Sequence, residues 1–459
     1  MVSGIRGRRS ALGCCAALAM AGSIAYPAAA APRPASAPLP PGLIAAVESD
    51  LGISAHEYLA RAESARRLAE FAPQARAAYP DIFAGIRMND DRPIVSFTEG
   101  ERAADARSAA EKAGFTVETV ANSEHTLDAR RIAFERWLSE QPSTVVESIV
   151  GYGIDVVTNS FAVRLADDVQ LPTDVGPIQS VTAVLPEARP EDSAVGIQAI
   201  AGIEADGDII GGQPFGMKVD GKAHRCSFGF NATDARGETL NITAGHCDPN
   251  NLVEPSTKTT EPQRVYEFKN GQLGTEIGEF AVSQFAPKDY AIVRINEKFA
   301  PRFRNNLVST QKMDAPAQAP DVNTPASSTG QSRAAGADVL RIDGTTEPVV
   351  GAAVCKTGFT SGYSCGTVLV AGQRGLLRGV PGHGDQPVKI ENMFYAALCG
   401  QRGDSGGPIV AGTKALGLSS AIVTASSSFD LGCGHVPLLL GQPISAVLQD
   451  NPGLTIRTS

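Results

Sequence analysis

Hydrophobic and polar positions change their spacing partway along this 459-residue chain. From Ser54 the spacing is helical. Tyr58, Leu59, Leu68 and Phe71 fall on one stripe, and Ser54 with Glu57 reads as a capping box. Pro80 ends that stretch. Residues 94–97 predict a strand, and Thr98 with Glu101 suggests a second capping box for a helix to about Ala113, which Gly114 stops. Residues 115–120 then alternate with period two, completing a strand–helix–strand unit. A further helix is predicted over 123–138, followed by strands at 154–157 and 161–165. Residues 31–42, rich in Pro and Ala, read as extended. The first half is therefore an α+β unit, and it holds no catalytic constellation.

Residues 171–207 contain Pro172, Pro177, Pro186 and Pro190 among several acidic residues, and read as an exposed linker open to proteolysis. After Ile209 the texture becomes short strands separated by Gly, Asn and Asp turns, with little helical pattern before Pro443. That is the pattern of an all-β barrel or sandwich. Residues 313–335, rich in Ala, Pro, Ser and Thr, read as a surface loop.

Composition supports this division. Residues 209–459 carry 22 basic and 21 acidic side chains, leaving 18 and 28 for residues 1–208. An acidic half beside a near-neutral one suggests two parts that meet partly through charge. Neither is basic enough to point to nucleic acid. At the N-terminus Arg6, Arg8 and Arg9 precede an apolar run from Ala11 to about Ile24 and then Ala28-Ala29-Ala30. This reads as an export signal over residues 1–30, too short in its apolar part to span a bilayer. No later segment reads as a span, so no stable membrane association is expected. Export makes sense of the cysteines. Cys226, Cys247, Cys355, Cys365, Cys399 and Cys433 remain after the signal, an even number, and spacing alone leaves 15 pairings open. Zinc is the competing use, but no Cys-x-x-Cys pair exists, and neither a metal nor a cofactor is expected.

The chemistry is concentrated in three places. Gly403-Asp404-Ser405-Gly406-Gly407-Pro408 sets a serine on a tight turn with backbone N–H groups free to face a developing oxyanion. Thr243-Ala244-Gly245-His246-Cys247 supplies a histidine just past a strand, because 227–231 and 240–242 read as two strands joined by the polar turn 234–237. Asp289 heads the apolar run 290–293. A base, an acid and a nucleophile in the order His, Asp, Ser is one of the few orders in which this constellation recurs. His56, His125, His224, His383 and His435 lack such neighbours and read as surface or satisfied histidines.

With these motifs, the chain resembles the bacterial chymotrypsin-like serine proteases of the streptogrisin and α-lytic type. The resemblance covers about 209–450 as protease and, by pattern, about 42–185 as the family's pro-region. Its marks are Ile210-Gly211-Gly212, the Cys226 to Asn231 and Thr243 to Cys247 segments, Val354-Cys355-Lys356-Thr357-Gly358, Ser361 to Thr367, and three residues between Cys399 and Gly403. The resemblance implies two six-stranded antiparallel barrels over 209–459 after a pro-region over 31–208, its linker at about 171–208. It makes His246 the general base, Asp289 its orienter and Ser405 the nucleophile. The N–H groups of Gly403 and Ser405 become the oxyanion hole. It pairs Cys226–Cys247, Cys355–Cys365 and Cys399–Cys433. The family's internal arginine, which pairs with the acid before the serine, falls at Lys356, so Lys356 should hold Asp404. Ser420-Ala421-Ile422 falls on the substrate-pairing strand, where the family has Ser-Gly-Gly. A β-branched Ile422 in place of glycine should narrow the primary pocket to small or medium apolar side chains.

These features together imply a secreted, monomeric serine endopeptidase made as a proenzyme, acting on polypeptides, with its pro-region as folding aid and inhibitor. A non-catalytic secreted binding protein on the same fold is the alternative, and it would be expected to have lost a member of the triad. A stress protease with a peptide-binding domain after the barrels would need more chain beyond Ser405.

Overall fold

The helical spacing near the N-terminus does fold as helix, and begins earlier than it reads. In the computed structural model, residues 38–165, 169–172, 178–180, 207–219, 221–269, 271–312, 338–377, 380, 382–384, 387–422 and 437–459 are described. The export signal, most of the linker and the 313–335 segment lie outside them. Helix α1 (Pro41–Leu51) starts on a proline, whose fixed φ and missing N–H suit a first turn. Its first two residues therefore occupy sequence that composition alone assigns to an extended stretch. Helix α2 (Ala55–Ala78) is capped as expected: Ser54 Oγ accepts from the Glu57 N–H at 3.2 Å.

Strands β1 (Phe83–Asn89) and β2 (Arg92–Phe97) form a hairpin, and β3 (Thr116–Thr119) adds to β2 in parallel across α3 (Ala103–Lys112). That is the predicted strand–helix–strand unit. The capping box at Thr98 and Glu101 does not form. The helix starts at Ala103 behind Arg102, which makes no side-chain cap. Helix α4 (Glu124–Ser139) follows, with Ser123 accepting from Thr126. Then come the short α5 (Ser143–Ser148), β4 (Ile149–Asp155) and β5 (Ser160–Leu165). β4 starts five residues before the predicted strand, because two glycines at 151 and 153 hide its alternation. The backbone of β6 (Ile178–Ser180) pairs in parallel with β5.

Beyond the linker the chain is almost entirely β. One antiparallel sheet contains β7 (Pro214–Val219), β8 (Lys222–Ser227), β9 (Phe230–Thr233), β10 (Thr239–Thr243), β11 (Arg264–Lys269), β12 (Gln272–Gln284) and β13 (Tyr290–Ile295). The predicted strand at 227–231 is thus broken at Phe228-Gly229 into the end of β8 and the start of β9. Strands β14 (Leu307–Ser309) and β15 (Val339–Arg341) pair with each other, and β16 (Gly344–Thr345) adds to the second sheet. That sheet holds β17 (Ala353–Lys356), β18 (Ser364–Leu377), β19 (Val388–Ala396), β20 (Pro408–Ala411), β21 (Lys414–Ile422) and β22 (Leu439–Pro443). Helix α6 (Ile444–Asp450) and β23 (Thr455–Ile456) end the chain, β23 returning to β9.

The pairing closes β17-β20-β21-β22-β19-β18 into a ring, since β17 also bonds to β18. The first sheet runs β23-β9-β10-β13-β12-β11-β7-β8. It buries Phe215, Phe228, Phe280 and Phe303 on one face. The ring encloses Val354, Val368, Phe394, Ile409 and Leu416. Between the two sheets lies a shared core of Phe230, Ile242, Leu418 and Val447, to which α1 adds Leu43, Ala46 and Val47 and α2 adds Tyr58. The N-terminal elements thus complete the protein's hydrophobic interior, and β4 extends the ring by pairing with β18 at Tyr152–Arg374 and Gly151–Gly375. Residues 39–459 form one compact unit.

Candidate active site

The site lies where the two sheets meet, and each of its residues is placed by a strand end. His246 sits on a single tight turn, Gly245–Cys247, directly after β10. Asn251 braces that turn by donating to the Gly245 carbonyl at 2.8 Å and to Ser283 Oγ at 2.7 Å. The Cys226–Cys247 bridge ties it to the end of β8. Asp289 immediately precedes β13, which pairs with β10. The two residues are therefore brought together by sheet register, 43 residues apart in sequence.

Asp289 is fully buried and heavily bonded. Its Oδ1 accepts the His246 backbone N–H at 2.8 Å, and its Oδ2 lies 2.8 Å from His246 Nδ1. The Ser420 hydroxyl donates to Oδ2 at 2.5 Å. Asp289's own N–H is held at 2.9 Å by Gln442 Oε1 on β22. Burial alone would raise the carboxyl's pKa. The adjacent histidine and the donated hydrogen bonds outweigh it and hold the pKa below the usual carboxylate value. For His246 the balance runs the other way: burial pushes its pKa down, and Asp289 pulls it up past the ordinary histidine value. The imidazole keeps 21% of its side-chain surface exposed, while Asp289 keeps none.

Ser420 reaches Asp289 through an irregularity. In the β21–β22 ladder Ser419 faces Gly441 and Ala421 faces Leu440, so Ser420 is the extra residue of a bulge. A bulge re-aims a side chain, here toward the acid. The sequence reading places Ser420 on the substrate strand and misses this second role. It also misses Gln442, because neither the bulge nor the β22 register leaves a trace in composition.

The Gly403–Gly407 turn is fixed from three sides. Ser227, fully buried at the end of β8, donates its N–H to the Ser405 carbonyl at 2.8 Å and its hydroxyl to the Gly403 carbonyl at 2.7 Å. Thr360 Oγ1 donates to the Arg402 carbonyl at 2.6 Å. The Gly406 N–H donates to the Ser419 carbonyl at 2.7 Å. In a trans peptide N–H and C=O point opposite ways. Holding the Arg402 carbonyl on Thr360 therefore turns the Gly403 N–H away from Thr360. The Asp404 carbonyl accepts from Gly407, which does the same for the Ser405 N–H. Neither N–H has an acceptor among the described residues. Two glycines are obligatory here. Gly403 has φ +100°, and Gly406 has φ +80° with Thr243 Oγ1 only 1.9 Å from where a Cβ would stand.

Asp404 points away from the cavity into a buried polar knot. Lys356 Nζ lies 3.0 Å from its Oδ2. The N–H groups of Thr360, Ser361 and Gln401 donate to it at 2.8, 3.0 and 2.9 Å, and the Ser361 hydroxyl bonds to both Asp404 and Lys356. Burial works to raise the Asp404 pKa, and the Lys356 charge and Ser361 bonds bring it below normal. The sequence reading includes Ser361 only as the first residue of the Ser361 to Thr367 mark and gives it no role of its own.

Ser405 and His246 open into one cavity of about 220 Å³ with Ser420, Ala421, Ile422 and Leu439 on one wall. Ile422 is buried, and its Cγ1 is 3.3 Å from where a Cβ would project at Gly400. The second predicted bridge is Cys355–Cys365. Cys399 is disulfide-bonded as well, and its expected partner, Cys433, lies outside the described residues. Cys226, Cys247 and His246 bring three metal-ligating atoms within 4.8 Å of one another. The two sulfurs are joined to each other, which removes the thiolates a metal would need.

No family model matches the chain. Curated relatives do. It is 29% identical to streptogrisin-C of Streptomyces griseus, the match covering 96% of this chain and 81% of that protein. It is 28% identical to serine protease 1 of Streptomyces fradiae, over 71% of each. This chain is a serine protease with a chymotrypsin-like fold. The protease is also 29% identical to glutamyl endopeptidase 2 of Streptomyces griseus, over 51% of its own length and 94% of that enzyme. Among solved structures, a Nocardiopsis protease matches 55% of the chain over its whole length, at 25% identity and a TM-score of 0.37.

Proposed function

We propose that the protease is a secreted endopeptidase made as a proenzyme, with His246 as general base, Asp289 as its orienter and Ser405 as nucleophile. The observation that carries this is the Asp289 carboxylate. It is fully buried, accepts three hydrogen bonds, and holds His246 by Nδ1, so that Nε2 faces the cavity it shares with Ser405. In this reading His246 takes the Ser405 proton as the hydroxyl attacks a scissile carbonyl, then returns it to the leaving amine. The N–H groups of Gly403 and Ser405 receive the oxyanion, each donor contributing about 3–4 kcal/mol to transition-state stabilisation. Residues 1–30 act as the export signal. Residues 31–208 act as the pro-region, which assists folding and inhibits until removed. The interior shared by α1, α2 and the two sheets supports the folding role. Activation then needs loss of the pro-region and no new N-terminal amine, since Lys356 already meets Asp404. The enzyme works as a monomer and without a cofactor.

The test is to express wild type and Ser405→Ala, label each with a serine-directed phosphonate, and sequence the mature N-terminus. Label confined to wild type supports the nucleophile. A full-length precursor found only in the mutant shows self-processing, and normal processing of the mutant assigns the cut to another protease.

His246 must be neutral to act as base. Because its pKa is raised, kcat/KM should climb with pH along a limb lying above the ordinary histidine value of about 6.5. A limb well below that value sinks the assignment.

For specificity, Ile422 against Gly400 and Leu439 supports a narrow primary pocket suited to small or medium apolar side chains. Ile422→Gly should raise kcat/KM for a phenylalanyl substrate about tenfold or more relative to an alanyl one, since each added methylene accommodated is worth about 1–3 kcal/mol. A wild-type profile dominated by Phe or Arg contradicts this pocket.

A further inference from the structure

The two glycines of β4 clear a path across that strand. Gly151 and Gly153 lie two residues apart and so face one side of the sheet. Tyr152 between them faces the other side, against Phe134 and Phe161. On the glycine side there is no room for a side chain. A Cβ on Gly153 would overlap the Gln373 amide, and one on Gly151 would stand 2.8 Å from the Arg374 carbonyl oxygen. Gly151 is paired with Arg164 on β5, so Arg164 shares the bare face. Its side chain passes over β4 and reaches the protease sheet. There Nη1 donates to Gln373 Oε1 on β18 at 3.0 Å, and the guanidinium carbon lies 4.7 Å from the centre of the Tyr395 ring on β19.

All three residues are buried, so the contact is made away from water, where a cation over a ring is worth most. Gln373 is held for the purpose. Its Nε2 donates to the Ile154 carbonyl at 3.1 Å and to the Ala371 carbonyl at 3.0 Å, which leaves its oxygen toward Arg164. It stands between two irregularities in the β18–β19 ladder, and such irregularities re-aim side chains. A flat aromatic face beside a fixed amide oxygen suits a planar, forked cation and suits an ammonium less. We propose that Gln373 and Tyr395 form a guanidinium-binding site on the β18–β19 hairpin, filled in the proenzyme by Arg164, and that through it the protease recognises its own pro-region. Departure of the pro-region vacates the site. This inference rests on the reading of residues 31–208 as a removable pro-region.

The experiment measures amide hydrogen exchange in the full-length chain, with Ser405→Ala throughout to prevent self-cleavage. Arg164→Leu is expected to speed exchange in β4, β5 and residues 372–377 about tenfold, while β10 and β13 stay as in the parent and report an intact fold. Arg164→Lys should behave more like the Leu variant than like the parent. Tyr395→Phe keeps the ring and should match the parent. Tyr395→Leu should loosen the same segments, and combining it with Arg164→Leu should add less than its effect alone. Unchanged exchange in Arg164→Leu, a Lys variant equal to the parent, or strict additivity of the two Leu changes overturns the site. If the mature, active wild-type enzyme is found to retain residues 149–165 in its own chain, the pro-region reading falls instead, whatever the exchange shows of the Arg164 contact.

Discussion

Ser405→Ala is expected to lower kcat by about a millionfold, and Asp289→Asn by about ten-thousandfold, in a protein that still folds. The two variants fail for different reasons. Removing the hydroxyl removes the nucleophile and leaves only substrate binding and the oxyanion donors. Asparagine keeps the shape of Asp289 but presents an N–H₂ where an acceptor is needed. His246 Nδ1 then becomes an acceptor, and the ring proton moves to Nε2, the nitrogen that must take the serine proton. The His246 backbone N–H favours this outcome, because it donates to Oδ1 and so keeps the amide oxygen there, leaving the N–H₂ at the position that faces Nδ1. The measurement is kcat on a peptide anilide, with denaturation midpoints as the control for folding. Asp289→Asn activity within tenfold of wild type would falsify the role of Asp289. Its acidic limb should also move down in pH, since the charge that raises the His246 pKa is gone.

How much of this was legible in the sequence follows from where each residue gets its position. His246, Asp289 and Ser405 lie at strand ends within short local motifs, so turn chemistry and chain order suffice to find them. Lys356 and the Cys226–Cys247 and Cys355–Cys365 pairings came through family resemblance, and the geometry agrees with each. Ser227, Ser361 and Gln442 were not legible. Each is one polar residue in an ordinary strand or turn, and its importance arises only when the fold sets it against a distant residue: Ser227 and Gln442 meet partners 132 or more positions away, at Phe359, Gly403 and Asp289, and Ser361 meets Asp404 across 43. The N-terminal half shows the same division. The long helix at Ala55 was readable because its stripe is continuous over many turns. Helix α1 was not, because only three turns carry its Leu43-Ala46-Val47 face and that face matters only against the protease core.

Lys356→Met is expected to destabilise the folded protease by about 3–5 kcal/mol, the cost of leaving one member of a buried ion pair without the other. Lys356 and Asp404 expose 0% and 2% of their side chains. The carboxylate would keep its three N–H donors and the Ser361 hydroxyl, but no compensating charge. Asn in place of Asp404 removes the charge that needs compensation, so Lys356→Met with Asp404→Asn should lose less than the two single changes added together. Urea denaturation of the four proteins gives that coupling directly. The pH dependence has a definite sign. The folded pKa of Asp404 lies below its unfolded value of about 3.9. Its ionised form therefore contributes stability that is complete above that value and lost as pH falls through the folded pKa. Without Lys356, burial still raises the carboxyl pKa while the largest opposing influence is gone, so acid unfolding should begin at higher pH. Activity should fall as well. Asp404 lies between Gly403 and Ser405, and its carbonyl helps set the direction of the Ser405 N–H, so a carboxylate that shifts in search of a partner carries the oxyanion donors with it. A Lys356→Met variant with the wild-type denaturation midpoint, wild-type acid unfolding and wild-type kcat/KM would show that the knot behind Ser405 contributes nothing to fold or catalysis.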